Sequence, residues 1–133
     1  MKLPPHIVAR IRDAVASLPS QSKRGPDSVG KQYGGIPLLA DMGGVSLLVP
    51  DGRILELTWD SGTLAHPLSS YPETVAIVAG AERYPWLAEL IPARPEHAVI
   101  CSVCSGSGKI LKSGGRFFCG ACGALGWREP VDR

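Results

Sequence analysis

Hydrophobic positions change their period along this chain, and the changes divide it into elements. Ile7, Val8, Ile11, Val15 and Leu18 recur at three- and four-residue spacing, with Arg10, Arg12 and Asp13 off the stripe. That spacing predicts a short amphipathic helix. Pro4 and Pro5 suit its first turn, where a missing N–H costs nothing, and Pro19 ends it. Residues 20–35 (SQSKRGPDSVGKQYGG) are polar and rich in Gly, Ser and Lys, which predicts a flexible loop.

From Ile36 the period becomes two. Ile36–Ala40 is a short apolar run, followed by a turn at Asp41–Gly44. Val45, Leu47 and Val49 then share one strand face. Asp51-Gly52 is a strong hairpin signal. Beyond it Leu55, Leu57 and Trp59 take one face, and Ile54, Glu56 and Thr58 the other. Asp60-Ser61-Gly62 leads into a short strand at Thr63–His66, which completes an antiparallel meander of three or four strands. Pro72-Glu73-Thr74 opens a second helix that runs to Ala81, and Tyr84–Ile91 supplies a further helical turn rich in large side chains. The stiff Pro92-Ala93-Arg94-Pro95 stretch marks the expected domain junction. The expected architecture is α+β: a small antiparallel sheet with flanking helices over residues 1–95, then a separate C-terminal module over 96–133.

Composition narrows the class. The chain has 133 residues, of which 44% are hydrophobic and 20% charged, with 16 Gly and 12 Pro favouring turns and short strands. Its longest apolar run, Val75–Ala81, is far too short to cross a membrane. The N-terminal residues lack the apolar core of a secretory signal, so a cytoplasmic protein without a membrane partner is expected. A net charge of +2 is too small for a strongly basic nucleic-acid binder. The charge is uneven: residues 1–97 sum to −1 and residues 98–133 to +3.

The four cysteines stand out. Cys101-Ser-Val-Cys104 and Cys119-Gly-Ala-Cys122 are two C-x-x-C pairs with fourteen residues between them. Such pairs place four sulfurs around one tetrahedral centre. Gly106, Gly108, Gly120 and Gly123 permit the tight backbone path of a knuckle that turns its N–H groups toward the thiolates. Between the pairs, Lys109–Lys112 and Arg116–Phe118 read as a hairpin, and Leu125–Glu129 as a third strand. That is the layout of a zinc ribbon with one structural ion. Disulfides are disfavoured in a chain without an export signal, and no βαβ unit is present to support a thioredoxin-like dithiol. Rubredoxin-type iron uses a similar ligand set, and spacing does not separate it from zinc. Four thiolates fill the tetrahedron, so metal-dependent hydrolysis is not expected.

Cys101–Gly108 (CSVCSGSG) resembles the C-x-x-C-x-G-x-G knuckle of the cysteine-rich region in DnaJ-type chaperones. Cys119–Gly126 (CGACGALG) is similar, with Ala124 where that pattern has Gly. The resemblance implies zinc binding at Cys101, Cys104, Cys119 and Cys122. It does not extend to co-chaperone activity, because only two knuckles are present and the His-Pro-Asp motif is missing. Gly34–Ile91, with its Gly43-Gly44 turn, Asp-Gly hairpin and aromatic-bearing helix, is similar to the later half of the SUKH superfamily. Bacterial members of that superfamily are often toxin-immunity proteins. The similarity rests on the order of elements, and the region before Gly34 is shorter and more polar than in that family. It implies a binding scaffold without catalytic residues.

Other signals are weaker. Gly25–Gln32 approaches a P-loop, but Gln32 replaces the Ser or Thr that would hold magnesium and Pro26 interrupts the motif, so Lys31 reads as a solvated cation. His6, His66 and His97 have no Cys or carboxylate at ligand spacing. Asp51, Asp60 and Glu56 could be read as an acid–base group, but two of them are turn formers in turn positions, which accounts for them better. No nucleophile motif is present, so neither an enzyme nor a small-molecule substrate is expected. Lys109, Lys112, Arg116 and Arg128 lie near Phe117, Phe118 and Trp127, the combination that single-stranded nucleic acid uses. Lysines and arginines beside a tetrathiolate also serve to offset its negative charge. The sequence therefore favours a non-catalytic module that binds another protein, as an adaptor or immunity protein would. A nucleic-acid-binding ribbon in transcription or translation is the alternative.

Overall fold

Pro5 stands in the first turn of helix α1 (Pro5–Ala16), as a residue that loses no hydrogen bond there should. In the computed structural model, residues 2–19, 25–40, 44–58, 73–112 and 115–129 are described. Helix α1 buries Ile7 and Ile11 completely, with Val8 and Val15 at the margin of the stripe. The fold is α+β, with helices, small antiparallel sheets and a C-terminal cysteine cluster. The chain falls into two compact units, Met1–Ser70 and Tyr71–Arg133.

The polar stretch expected to be a loop holds a helix, α2 (Pro26–Tyr33). Local chemistry explains it. Gly25 enters extended, Pro26 occupies the first turn, Asp27 lies at the positive end of the helix dipole and Lys31 at the negative end. Gly34 then closes the helix in the left-handed region at φ 74°, and the Gly35 N–H reaches back to the Gly30 carbonyl at 2.9 Å. Val29 is the apolar anchor, buried against Val45 and Leu47. At Gly30 a Cβ would lie 2.5 Å from the Gly35 carbonyl oxygen, so the helix end can fold back only on a glycine. Residues 20–24 lie outside the described residues.

The period-two segment forms the expected meander. Strands β1 (Ile36–Ala40), β2 (Gly44–Leu48) and β3 (Ile54–Thr58) pair antiparallel in the order β1-β2-β3. The registers Val45↔Leu57 and Leu47↔Leu55 put the predicted apolar set on one face, where it meets Val29 of α2. A bulge between Pro37 and Leu39 shifts the β1 register. Every residue of β2 is buried, Ser46 included, so this strand does not show the one-sided burial of a half-exposed sheet. The Asp51-Gly52 hairpin forms as expected. Gly52 has φ 93°, Val49 N–H donates to the Arg53 carbonyl, and Asp51 accepts from the Arg53 backbone at 2.9 Å and from its Nε at 2.8 Å. Trp59, the Asp60–Gly62 turn and the strand at Thr63–His66 lie outside the described residues, as does Asp41–Gly43.

The second unit begins with α3 (Glu73–Arg83), which buries Val75, Ala76, Ile77, Ala79 and Gly80. A 3-10 helix (Pro85–Leu90) follows, anchored by the fully buried Leu87. Four short strands complete the unit: β4 (Val99–Ile100), β5 (Lys109–Lys112), β6 (Gly115–Phe118) and β7 (Trp127–Arg128). The Pro92–Pro95 stretch, where the sequence suggested a junction, thus lies inside one compact unit. One contact that joins its two ends is the ion pair between Lys109 Nζ on β5 and Glu82 on α3, at 3.1 Å.

Candidate metal centre

The two C-x-x-C segments fold alike, residue for residue, at an offset of eighteen. In each knuckle the backbone N–H of the sixth residue returns to the carbonyl of the first: Gly106 to Cys101 at 3.2 Å, and Ala124 to Cys119 at 2.8 Å. In each the N–H of the eighth residue donates to the second sulfur: Gly108 to Cys104 Sγ and Gly126 to Cys122 Sγ, both at 3.3 Å. The halves are also exchanged across the centre, because Cys101 N–H donates to the Gly126 carbonyl and Cys119 N–H to the Gly108 carbonyl. Strand pairing obeys the same exchange, β4 with β7 and β5 with β6. The unit is therefore a strand–knuckle–strand repeat folded about a local two-fold. The strand expected at Leu125–Glu129 exists as β7, but it pairs with β4 instead of extending the hairpin.

Positive-φ residues mark the same places in both knuckles: Ser105, Gly106 and Gly108 in the first, and Gly123, Ala124 and Gly126 in the second. Ala124 thus takes the left-handed conformation (φ 65°) of its counterpart Gly106 (φ 84°). Two glycines are required on both counts. A Cβ on Gly108 would lie 2.5 Å from the Ala124 carbonyl oxygen, and one on Gly126 would lie 2.5 Å from that of Gly106. Gly120, expected among the knuckle glycines, is not one of them: its φ is not positive and space around it is open.

This backbone brings the four sulfurs together. Cys101 and Cys119 are completely buried, with Sγ atoms 3.9 Å apart. Cys104 and Cys122 form an outer pair at 3.7 Å. All four ligand atoms lie within 4.8 Å of one another. A tetrahedral centre with metal–sulfur bonds of about 2.3 Å needs sulfurs about 3.8 Å apart, so the cluster is sized for one metal ion. Ile110 packs against the cluster. No motif search would have singled it out, although its place on the hairpin face next to the knuckles does.

The thiols are not equivalent. The backbone N–H groups of Cys104 and Val103 stabilise the Cys101 thiolate and draw its pKa down to about 7. Burial pushes Cys122 up to about 12, because its thiolate would be desolvated among the other sulfurs. Four thiolates cannot share this space without a cation, so metal uptake must displace protons.

The residues proposed for nucleic acid are dispersed in role. Lys109 is engaged by Glu82 and also sits 5.2 Å from the Phe118 ring centre. Arg128 is exposed, while the side chains of Lys112 and Arg116 lie outside the described residues. Phe117 is half exposed and Phe118 half-buried, so neither is a core residue. His6 and His97 are exposed and neither belongs to the cysteine cluster, and His66 and Asp60 lie outside the described residues. Asp51 is held below the usual carboxylate range by the Arg53 backbone N–H and guanidinium, as a turn residue. Lys31 is not merely solvated: its ammonium donates to the Leu18 carbonyl at 3.0 Å, tying α2 to the end of α1. Among the described residues no helix is long and apolar enough to cross a membrane.

No family model, no curated protein and no solved structure matches this chain. No match thus supports the DnaJ-type resemblance of the two knuckles or the SUKH-like order of elements.

Proposed function

We propose that this chain is a non-catalytic, cytoplasmic protein-binding module whose C-terminal ribbon is held by one structural zinc ion. Cys101, Cys104, Cys119 and Cys122 would hold the ion. It would supply the positive charge that lets four thiolates share one buried site, and with it roughly 10–16 kcal/mol of apparent folding energy. Four protein sulfurs leave no coordination position for water or substrate, which supports a structural role over a catalytic one.

The observation that carries the binding role is the apolar surface of the ribbon. Val99, Ile100, Val103, Leu111 and Phe117 are all exposed, Leu111 at 79%. The scaffold does not demand this. At the eighteen-residue offset Val103 corresponds to Ala121 and Leu111 to Glu129, so one half of the repeat serves with small or charged residues where the other exposes aliphatic ones. Val103 and Leu111 also line one groove, and exposed aliphatic groups brought together on a small module favour a protein partner. An adaptor or immunity role is the form of such binding that the SUKH-like order of elements implies.

The test uses the zinc-loaded chain as bait, beside a Val103→Asp/Leu111→Asp variant. The wild type should retain a stoichiometric protein partner after nuclease treatment. The variant should lose it with zinc content unchanged. Equal recovery by both would overturn the assignment of the surface. Recovery that vanishes with nuclease would move the function to nucleic acid and to the basic residues of the ribbon, Lys109, Lys112, Arg116 and Arg128.

A further inference from the structure

We infer that the outer sulfur pair, Cys104 and Cys122, is a hydroperoxide-sensitive release point for the bound ion. The inference rests on the zinc reading above and adds regulation to it. The local two-fold divides the ligands into two kinds. Cys101 and Cys119 have no exposed surface, whereas Cys104 and Cys122 each keep 7%. The outer sulfurs are also the closer pair, at 3.7 Å. Access differs further between the two knuckles. Cys104 lines an open groove of about 430 Å³, together with Val103, Ser105, Lys109, Ile110 and Leu111. A small oxidant can enter that space without opening the fold.

The chemistry balances with one hydroperoxide per ion. The Cys104 sulfur attacks the peroxide O–O bond, forming S–OH and expelling hydroxide, or an alkoxide if the peroxide is organic. The Cys122 thiolate then attacks the Cys104 sulfur and expels the second hydroxide. Two thiolates are oxidised to one disulfide, the peroxide is reduced, and two protons from solvent convert the expelled oxyanions to water, or to water and alcohol. The ion is left with two of its four ligands and leaves. The resulting cross-link joins the two knuckles, unlike the disulfide within one C-x-x-C that thiol–disulfide enzymes form.

The test treats the zinc-loaded full chain with hydrogen peroxide, follows zinc with a chromogenic chelator, and traps sulfenic acid with dimedone. Released zinc should reach one equivalent, with the trap on Cys104 and a Cys104–Cys122 linkage in the mapped peptides. A Leu111→Trp substitution that narrows the groove should slow release at least threefold while leaving the initial zinc content unchanged. Zinc that stays bound under conditions that fully oxidise a small free thiol would overturn the inference. So would trapping on Cys101 or Cys119, or linkage confined within each C-x-x-C pair. Protein that carries no zinc before peroxide is added would instead sink the structural-zinc reading itself.

Discussion

At the residue scale, the knuckles set the strictest demands, and they make paired predictions. Gly126→Ala would place a methyl 2.5 Å from the Gly106 carbonyl oxygen at a φ of 84°. It should cost about 1–3 kcal/mol and raise the rate at which a chelator strips the ion. Gly120→Ala meets open space and should change stability by less than about 0.5 kcal/mol in the same denaturation series. These two glycines look alike in the sequence, because spacing from a cysteine does not reveal φ or the carbonyl facing the residue. Lys31 makes the same point in the first unit. Read from sequence it is one more cation in a polar stretch, yet it bonds the Leu18 carbonyl. Lys31→Met should lower stability by about 1 kcal/mol in urea unfolding, whereas an idle surface lysine would show no change.

At the element scale, the meander and helix α1 were readable because their burial is periodic. Ile7 and Ile11 supply the helical stripe, and Val45, Leu47, Leu55 and Leu57 supply the alternation. Helix α2 was not, because its one large buried side chain, Val29, sets no period, and its ends are fixed by Pro26 and Gly34, residues that also mark loops. Strand β4 escaped for a similar reason: two residues are too few to show alternation, and its pairing with β7 follows from the local two-fold. The Asp51–Arg53 contact belongs to this scale, since it closes the β2–β3 hairpin. The folded-state pKa of Asp51 is depressed, so its contribution is present above the ordinary carboxylate value and is lost as pH falls through the folded one. Asp51→Asn should therefore lower thermal stability slightly at neutral pH and flatten the acid limb, the two proteins converging as pH falls below about 4.

At the scale of the whole molecule, the cysteine spacing announced the metal site, and the structure supplies its reason, a repeated strand–knuckle–strand unit closed on itself. The surface proposed to bind a partner was not legible. Val103 and Leu111 look like core residues until the repeat places Ala121 and Glu129 at the matching positions. Because the ligands must lose protons, metal affinity should fall on acidification, and the Cys122 thiol, raised to about 12 when metal-free, is a proton that the ion must displace at neutral pH. The most direct test of the account is elemental analysis of the purified full chain beside its Cys104→Ser variant. One zinc per chain, largely lost in the variant together with the folded signature of the ribbon, is the predicted result. A chain without zinc, one that carries iron in its place, or a variant that keeps its full zinc content would contradict it.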